Sequence, residues 1–142
     1  MANNLQIQGK MLVDGQGKGR ALVLTEPLSL WGGLNPETGE IIDRRHPQAG
    51  QIVTNRVLVL PSGRGSSSAS SILLEAVKQG TAPAAIITAE TDGILALGAA
   101  VAREMYDKSP PVLVLTGEDY AQIQTGQELI IHADGRITIS AS

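Results

Sequence analysis

The sequence predicts an α/β domain in which a parallel βαβαβ core carries antiparallel β-ribbons from both ends of the chain, forming a second or barrel-like β layer. Uninterrupted apolar runs at Val57–Leu60, residues 84–88 and residues 112–115 have the character of strands buried on both faces. Between them, residues 66–79 and 92–106 place apolar side chains at helical spacing. Near the end, residues 128–132 and 136–140 alternate around Ala133-Asp134-Gly135, as a hairpin does.

Taken in order, residues 5–13 and 20–25 read as strands joined by Asp14-Gly15-Gln16-Gly17-Lys18-Gly19, an opening β-ribbon. Residues 26–51 are broken by Pro27, Gly32, Gly33, Pro36, Gly39, Pro47 and Gly50, and are too long for a simple connector. Trp31, Leu34, Ile41 and Ile42 argue that this stretch is ordered. The helix over 66–79 gathers Ile72, Leu73, Ala76 and Val77 on one face, and Gly80 is placed to end it. Asp92 is placed to cap the second helix, and Pro110-Pro111 to stop it before the third core strand. No internal repeat or linker divides residues 1–142, so a single domain is expected.

Composition narrows the function. A net charge of −3 without a basic cluster, and only Trp31, Tyr106 and Tyr120 as aromatics, offer neither a phosphate-tracking groove nor a base-stacking platform. Nucleic acid is not an expected partner. The apolar run 94–102 is far short of the ~20 residues that cross a bilayer, and the first residues lack a signal-peptide pattern. No membrane association is expected, and the expected compartment is the cytoplasm. With no cysteine, this chain ligates no iron–sulfur cluster and no thiolate zinc. His46 and His132, far apart and outside any ligand-spaced cluster, point to no metal site either.

The segment richest in chemistry is Pro61-Ser62-Gly63-Arg64-Gly65-Ser66-Ser67-Ser68. It sets a glycine-rich turn between a buried strand and a helix start, where unpaired N–H groups and the positive end of the helix dipole favour an anion. Gly63 and Gly65 permit close backbone approach, and Arg64 offers a bidentate grip on a carboxylate or phosphate. The same field stabilises a serine alkoxide, which makes one of these serines a candidate base. The competing reading is that Ser66 or Ser67 serves only as an N-cap. Neither the P-loop ending nor a Gly-x-Ser-x-Gly elbow is present.

The turn Arg64-Gly65-Ser66-Ser67 resembles that of the aconitase swivel domain. Glu26-Pro27-Leu28-Ser29-Leu30-Trp31-Gly32-Gly33, Pro36-Glu37-Thr38-Gly39, Ile42-Asp43, His46-Pro47, Val57 through Ser67, Ala82 through Ile87 and Ile94 through Ala99 together resemble the aconitase X swivel domain or small subunit. The resemblance covers nearly the whole chain. It implies a swivelling β/β/α domain that closes over a large subunit carrying an iron–sulfur cluster or iron, the pair removing water from a small hydroxy acid. It further implies Ser66 as the proton acceptor, with Ser62, Gly63, Arg64, Gly65, Ser67 and Ser68 as candidate substrate-binding residues. Trp31, Gly32, Gly33, Asp43 and His46 match the family and are candidates to line the site or the face toward the large subunit. For Asp43 and His46 the competing role is to pin the long loop by hydrogen bonds. Asn55 stands where the family often has glycine, a position suited to left-handed backbone, and Leu30 replaces a common aromatic.

Two substrates fit such a family, cis-3-hydroxy-L-proline and mevalonate 5-phosphate. The serine-rich run from Ser66 to Ser71 and the modest charge content favour the first. A reading from another class is a non-catalytic swivel-type binding or regulatory domain. A phosphohistidine carrier would need histidine on the loop, where Ser66 stands.

Overall fold

The computed structural model describes residues 5–64 and 68–140. In chain order its elements are β1 (Leu5–Gln8), β2 (Lys10–Val13), β3 (Gly17–Val23), β4 (Leu34–Asn35), β5 (Glu40–Ile41), β6 (Val57–Leu60), α1 (Ser68–Gln79), β7 (Ala85–Thr88), α2 (Gly93–Tyr106), β8 (Val112–Val114), α3 (Gly117–Ala121), β9 (Glu128–Ile131) and β10 (Arg136–Ser140). The expected parallel core is present: β6 pairs in parallel with β3 on one side and β7 on the other, and β7 pairs in parallel with β8. The C-terminal hairpin is also as expected, Ile137 lying opposite Ile131.

The opening β-ribbon does not form. Neither β1 nor β2 pairs with β3; β1 joins β10 and β2 joins β8, the two antiparallel, at opposite ends of the strand order β1-β10-β9-β3-β6-β7-β8-β2. Gly9 alone links these two edge strands, so it brings the ends of the sheet together. Its N–H donates to the Gly135 carbonyl at 2.9 Å. A similar change of partner occurs along β3, which runs antiparallel to β9 over residues 17–20 and parallel to β6 over residues 21–23. Two strands thus pass from one layer to the other, and the result is a nearly closed barrel with a small separate β4–β5 hairpin.

Strand alternation sorts the core into two clusters. Leu58, Leu60 and Ile86 join Leu22, Leu24, Leu73, Leu95 and Ala99 beneath the helices. Val57, Val59 and Ile87 face the other way, into a cluster with Leu113, Leu129, Ile131 and Ile137. All four residues of β6 and all four of β7 are buried, which is why these strands read as unbroken apolar runs. Each such side chain contributes about 1.5–3 kcal/mol on burial.

The helices sit close together because Gly98 of α2 has no side chain; a Cβ there would lie 3.0 Å from the Ser70 carbonyl of α1. At the end of α1, Gly80 (φ +81°) donates to the Val77 carbonyl and Thr81 to that of Ala76, a paired capping pattern available to left-handed backbone. The second helix ends instead on Asp107, at φ 56°. The long stretch 26–51 is ordered, as Leu34 and Ile41 suggested: both are buried, and the Thr81 hydroxyl donates to the Pro36 carbonyl at 2.6 Å. Trp31 and Ile42 are exposed instead of contributing to that core. Among the described residues no helix is long and apolar enough to cross a membrane.

Candidate functional site

The glycine-rich turn begins where β6 leaves the sheet, and its backbone is tied down residue by residue. Ala89 donates to the Pro61 carbonyl at 3.1 Å, Leu28 to that of Ser62 at 3.3 Å, and Arg64 to that of Leu28 at 3.1 Å. The N–H of Gly63 donates to Asp92 Oδ2 at 2.7 Å. A Cβ at Gly63 would sit 2.7 Å from that same oxygen, so a larger residue here would have to displace the Asp92 carboxylate. Parallel bridging of Leu28 to Gly63 continues the β3–β6 pairing past the ends of both strands. The turn therefore stands at the carboxyl end of the parallel core, where ligands of α/β sheets collect.

Gly65, Ser66 and Ser67 lie outside the described residues, so the assignments made to them rest on sequence. Ser68 opens α1, and its carbonyl accepts the Ser71 hydroxyl at 2.7 Å. No acidic residue occupies the first turn of α1, and among the described residues Arg64 makes no ion pair. A helix start without an acidic residue in its first turn and an exposed guanidinium both favour an anion here. The opposite holds for α2. Asp92 Oδ1 accepts from the Ile94 and Leu95 N–H groups at 3.1 and 3.0 Å, which places a carboxylate on that helix's own positive end.

The long loop brings further charge beside the turn. Glu26, Pro27, Asp43, Arg45, His46 and Arg64 line a polar concavity of about 220 Å³. Its carboxylates and guanidiniums form no ion pair with one another among the described residues. His46 is buried; its Nδ1 accepts the Gln48 N–H at 3.1 Å, which leaves Nε2 as the donor to the Glu26 carbonyl at 3.1 Å. This histidine holds the loop against the chain leaving β3. Asp43 Oδ1 accepts the Arg45 N–H at 3.0 Å, a local turn that sets the direction of Arg45. Both residues of this pair hydrogen-bond within the loop and both line the concavity.

Trp31 does not line this concavity. It is 58% exposed at the tip of a turn in which Gly33 and Leu34 donate to the Leu30 carbonyl, between the buried Leu28 and Leu30 and the buried Gly33. Gly32 takes φ +78°, and Gly33 passes too close to the Ser29 carbonyl to carry a Cβ. The contribution of this tight turn is thus geometric: it forces a large apolar ring outward.

Asp92, Glu26 and Arg45 belong to the site and were not singled out as site residues from sequence. The N-cap role of Asp92 was readable from its place before a helical pattern; its bond to a residue 29 positions earlier was not. Among the described residues no three His, Asp or Glu side chains converge as a metal ion would need.

The profile of the aconitase X swivel domain matches residues 6–139. Cis-3-hydroxy-L-proline dehydratase of Pseudomonas aeruginosa is 43% identical over 130 residues, 92% of this chain and 22% of that protein. The phosphomevalonate dehydratase small subunit of Methanothermobacter thermautotrophicus is 37% identical over 121 residues, 84% of this chain and 92% of that subunit. The chain thus spans about a fifth of the length of the hydroxyproline dehydratase and most of the length of the small subunit. The crystal structure of Thermococcus kodakaraensis aconitase X in its holo-form superimposes with a TM-score of 0.84 at 32% identity, covering 95% of this chain and 98% of that one.

Proposed function

Because the chain belongs to the aconitase X swivel domain family, we propose that it is the small subunit of a hydro-lyase that removes water from a small hydroxy acid. The observation that carries this is the likeness to aconitase X along almost the whole chain, with the glycine-rich turn seated at the carboxyl end of β6. Ser66 takes a proton from the carbon next to the one bearing the hydroxyl. The electron pair left behind forms the new C=C bond as the C–O bond breaks, and the hydroxyl departs as water once protonated. The positive end of α1, with no acidic residue in its first turn, favours the deprotonated serine, and Arg64, with the polar atoms of Ser62, Gly63, Gly65, Ser67 and Ser68, holds the substrate carboxylate.

The described residues offer no ligand set for a metal, so the iron–sulfur cluster or iron expected of this family is assigned to the large subunit. The exposed Trp31 on the Gly32-Gly33 turn faces that subunit in the assembled enzyme. The chain alone is inactive and works in the cytoplasm.

The favoured substrate is cis-3-hydroxy-L-proline. The concavity beside the turn presents both carboxylates (Glu26, Asp43) and guanidiniums (Arg45, Arg64), which suits a zwitterionic imino acid. A phosphate-bearing acid would meet those two carboxylates with like charge. A second reading, mevalonate 5-phosphate, is favoured by the large share of the phosphomevalonate dehydratase small subunits that the chain covers.

Co-expression with the large subunit, followed by assay of both acids, tests the proposal. Water loss from cis-3-hydroxy-L-proline by the pair, and none by either chain alone, is expected. Turnover of mevalonate 5-phosphate alone would replace the favoured substrate, and a pair inactive on both would support a non-catalytic swivel module.

A further inference from the structure

Asp92 makes two kinds of contact that have no sequence relation to each other. One carboxylate oxygen accepts from Ile94 and Leu95 at the start of α2, and the other accepts from Gly63 in the turn at 2.7 Å. A single side chain thus satisfies three backbone donors on two elements. The other contacts of the turn come from backbone groups, at Leu28 and Ala89. Asp92 is the one side chain among the described residues whose hydrogen bond reaches residues 61–64. It also lines the cleft formed by Leu28, Leu30, Gly63, Arg64, Ala69 and Leu95, between the turn and both helices.

We propose that Asp92 is a positioning residue for the reaction: by clamping Gly63 to the start of α2 it holds the described end of the turn, Arg64 included, from which the chain runs on to Ser66. This rests on the assignment of Ser66 as the base. The physical reason is that proton transfer depends steeply on geometry, a displacement of about 1 Å costing on the order of 100-fold in rate. The clamp also explains why position 63 is glycine, since any Cβ would push Oδ2 off the N–H it holds.

Helix capping and clamping are separable by substitution. Ser and Asn cap helices about as well as Asp, whereas Ala does not. Serine is too short to reach Gly63, and an Asn that caps through Oδ1 turns an amide NH2, a donor, toward the Gly63 N–H. In the isolated chain, Asp92→Ser and Asp92→Asn are expected to keep the helix cap and so to lose less thermal stability than Asp92→Ala, while hydrogen exchange at the Gly63 amide accelerates. In the reconstituted pair both are expected to lower kcat about tenfold or more, with KM changed less than about threefold. Asp92→Ala is expected to lose thermal stability as well. Unchanged Gly63 exchange, or unchanged kcat despite faster exchange, in the Ser and Asn variants would overturn the proposal; so would a kcat that merely follows melting temperature across the three variants. Should the wild-type pair dehydrate neither acid, the dehydratase reading and the catalytic sense of the clamp both fall, whereas unchanged Gly63 exchange or unchanged kcat in the variants of a dehydrating wild-type pair isolates the failure to Asp92 alone.

Discussion

Gly19 of β3 runs against the main chain of Asn55 so closely that a methyl group on Gly19 would lie 2.6 Å from the Asn55 carbonyl oxygen. Asn55 itself is left-handed, at φ 59°, and leads directly into β6 and so toward the glycine-rich turn. Gly19→Ala is therefore expected to destabilise the chain by about 1–3 kcal/mol. Asn55→Gly, which suits the same backbone, should stay within about 0.5 kcal/mol of wild type. Asn55→Val, β-branched at positive φ, should cost about 1–2 kcal/mol. Urea denaturation of the three variants measures the order, and an Asn55→Val chain as stable as Asn55→Gly would contradict it.

Ser66→Ala removes the proposed base and little else. In the reconstituted pair, turnover should fall at least about 100-fold while the two subunits still co-elute. Near-normal turnover would return Ser66 to the role of a helix cap.

The sole tryptophan supplies its own probe. Since Trp31 is 58% exposed and packs into neither core cluster, Trp31→Ala should shift the melting temperature of the isolated chain by less than about 2 °C. Placed against the large subunit, the ring is the kind of anchor whose loss weakens assembly by about 30-fold or more. Its fluorescence should move to the blue when the large subunit is added. Emission that stays at its solvent-exposed position on assembly would remove Trp31 from the interface.

Tyr120 carries a buried hydroxyl with no hydrogen-bond partner, and burial pushes its pKa from 10.0 up to about 12. Its ionisation is disfavoured in the folded chain, so the unfolded chain releases this proton first. The stability it contributes is complete below pH 10 and is lost as pH rises through about 12. Tyr120→Phe should be at least as stable as wild type at neutral pH and should lack this part of the alkaline decline. Urea midpoints across that pH range, with phenolate absorbance to follow ionisation, provide the check.

The sequence by itself determined the parallel core, both long helices and the C-terminal hairpin, because each is marked by a short-range pattern. Unbroken apolar runs specify β6 and β7, helical spacing specifies α1 and α2, and Gly80 marks an end that its φ of +81° confirms. It also marked the glycine-rich turn, whose Gly63 is held to glycine by a neighbour. The left-handed position at Asn55 was implied instead by the resemblance to a family that often has glycine there.

Strand partners and shared side chains were decided by the tertiary structure alone. Alternation along residues 5–13 shows a strand but carries no information about which strand lies beside it, and closure through Gly9 sent its halves to β10 and β8 in place of a local ribbon. The exposure of Trp31 follows from a turn whose inner positions Leu28 and Leu30 already fill. Asp92 read only as a helix cap, because its bond to Gly63 joins residues that the chain brings together only when β6 and β7 pair in parallel, Leu60 beside Thr88. The physical reason is common to all three: local preference acts within a few residues, whereas pairing, burial and long-range hydrogen bonds are chosen by which arrangement of the whole chain excludes the most apolar surface while satisfying every buried polar group.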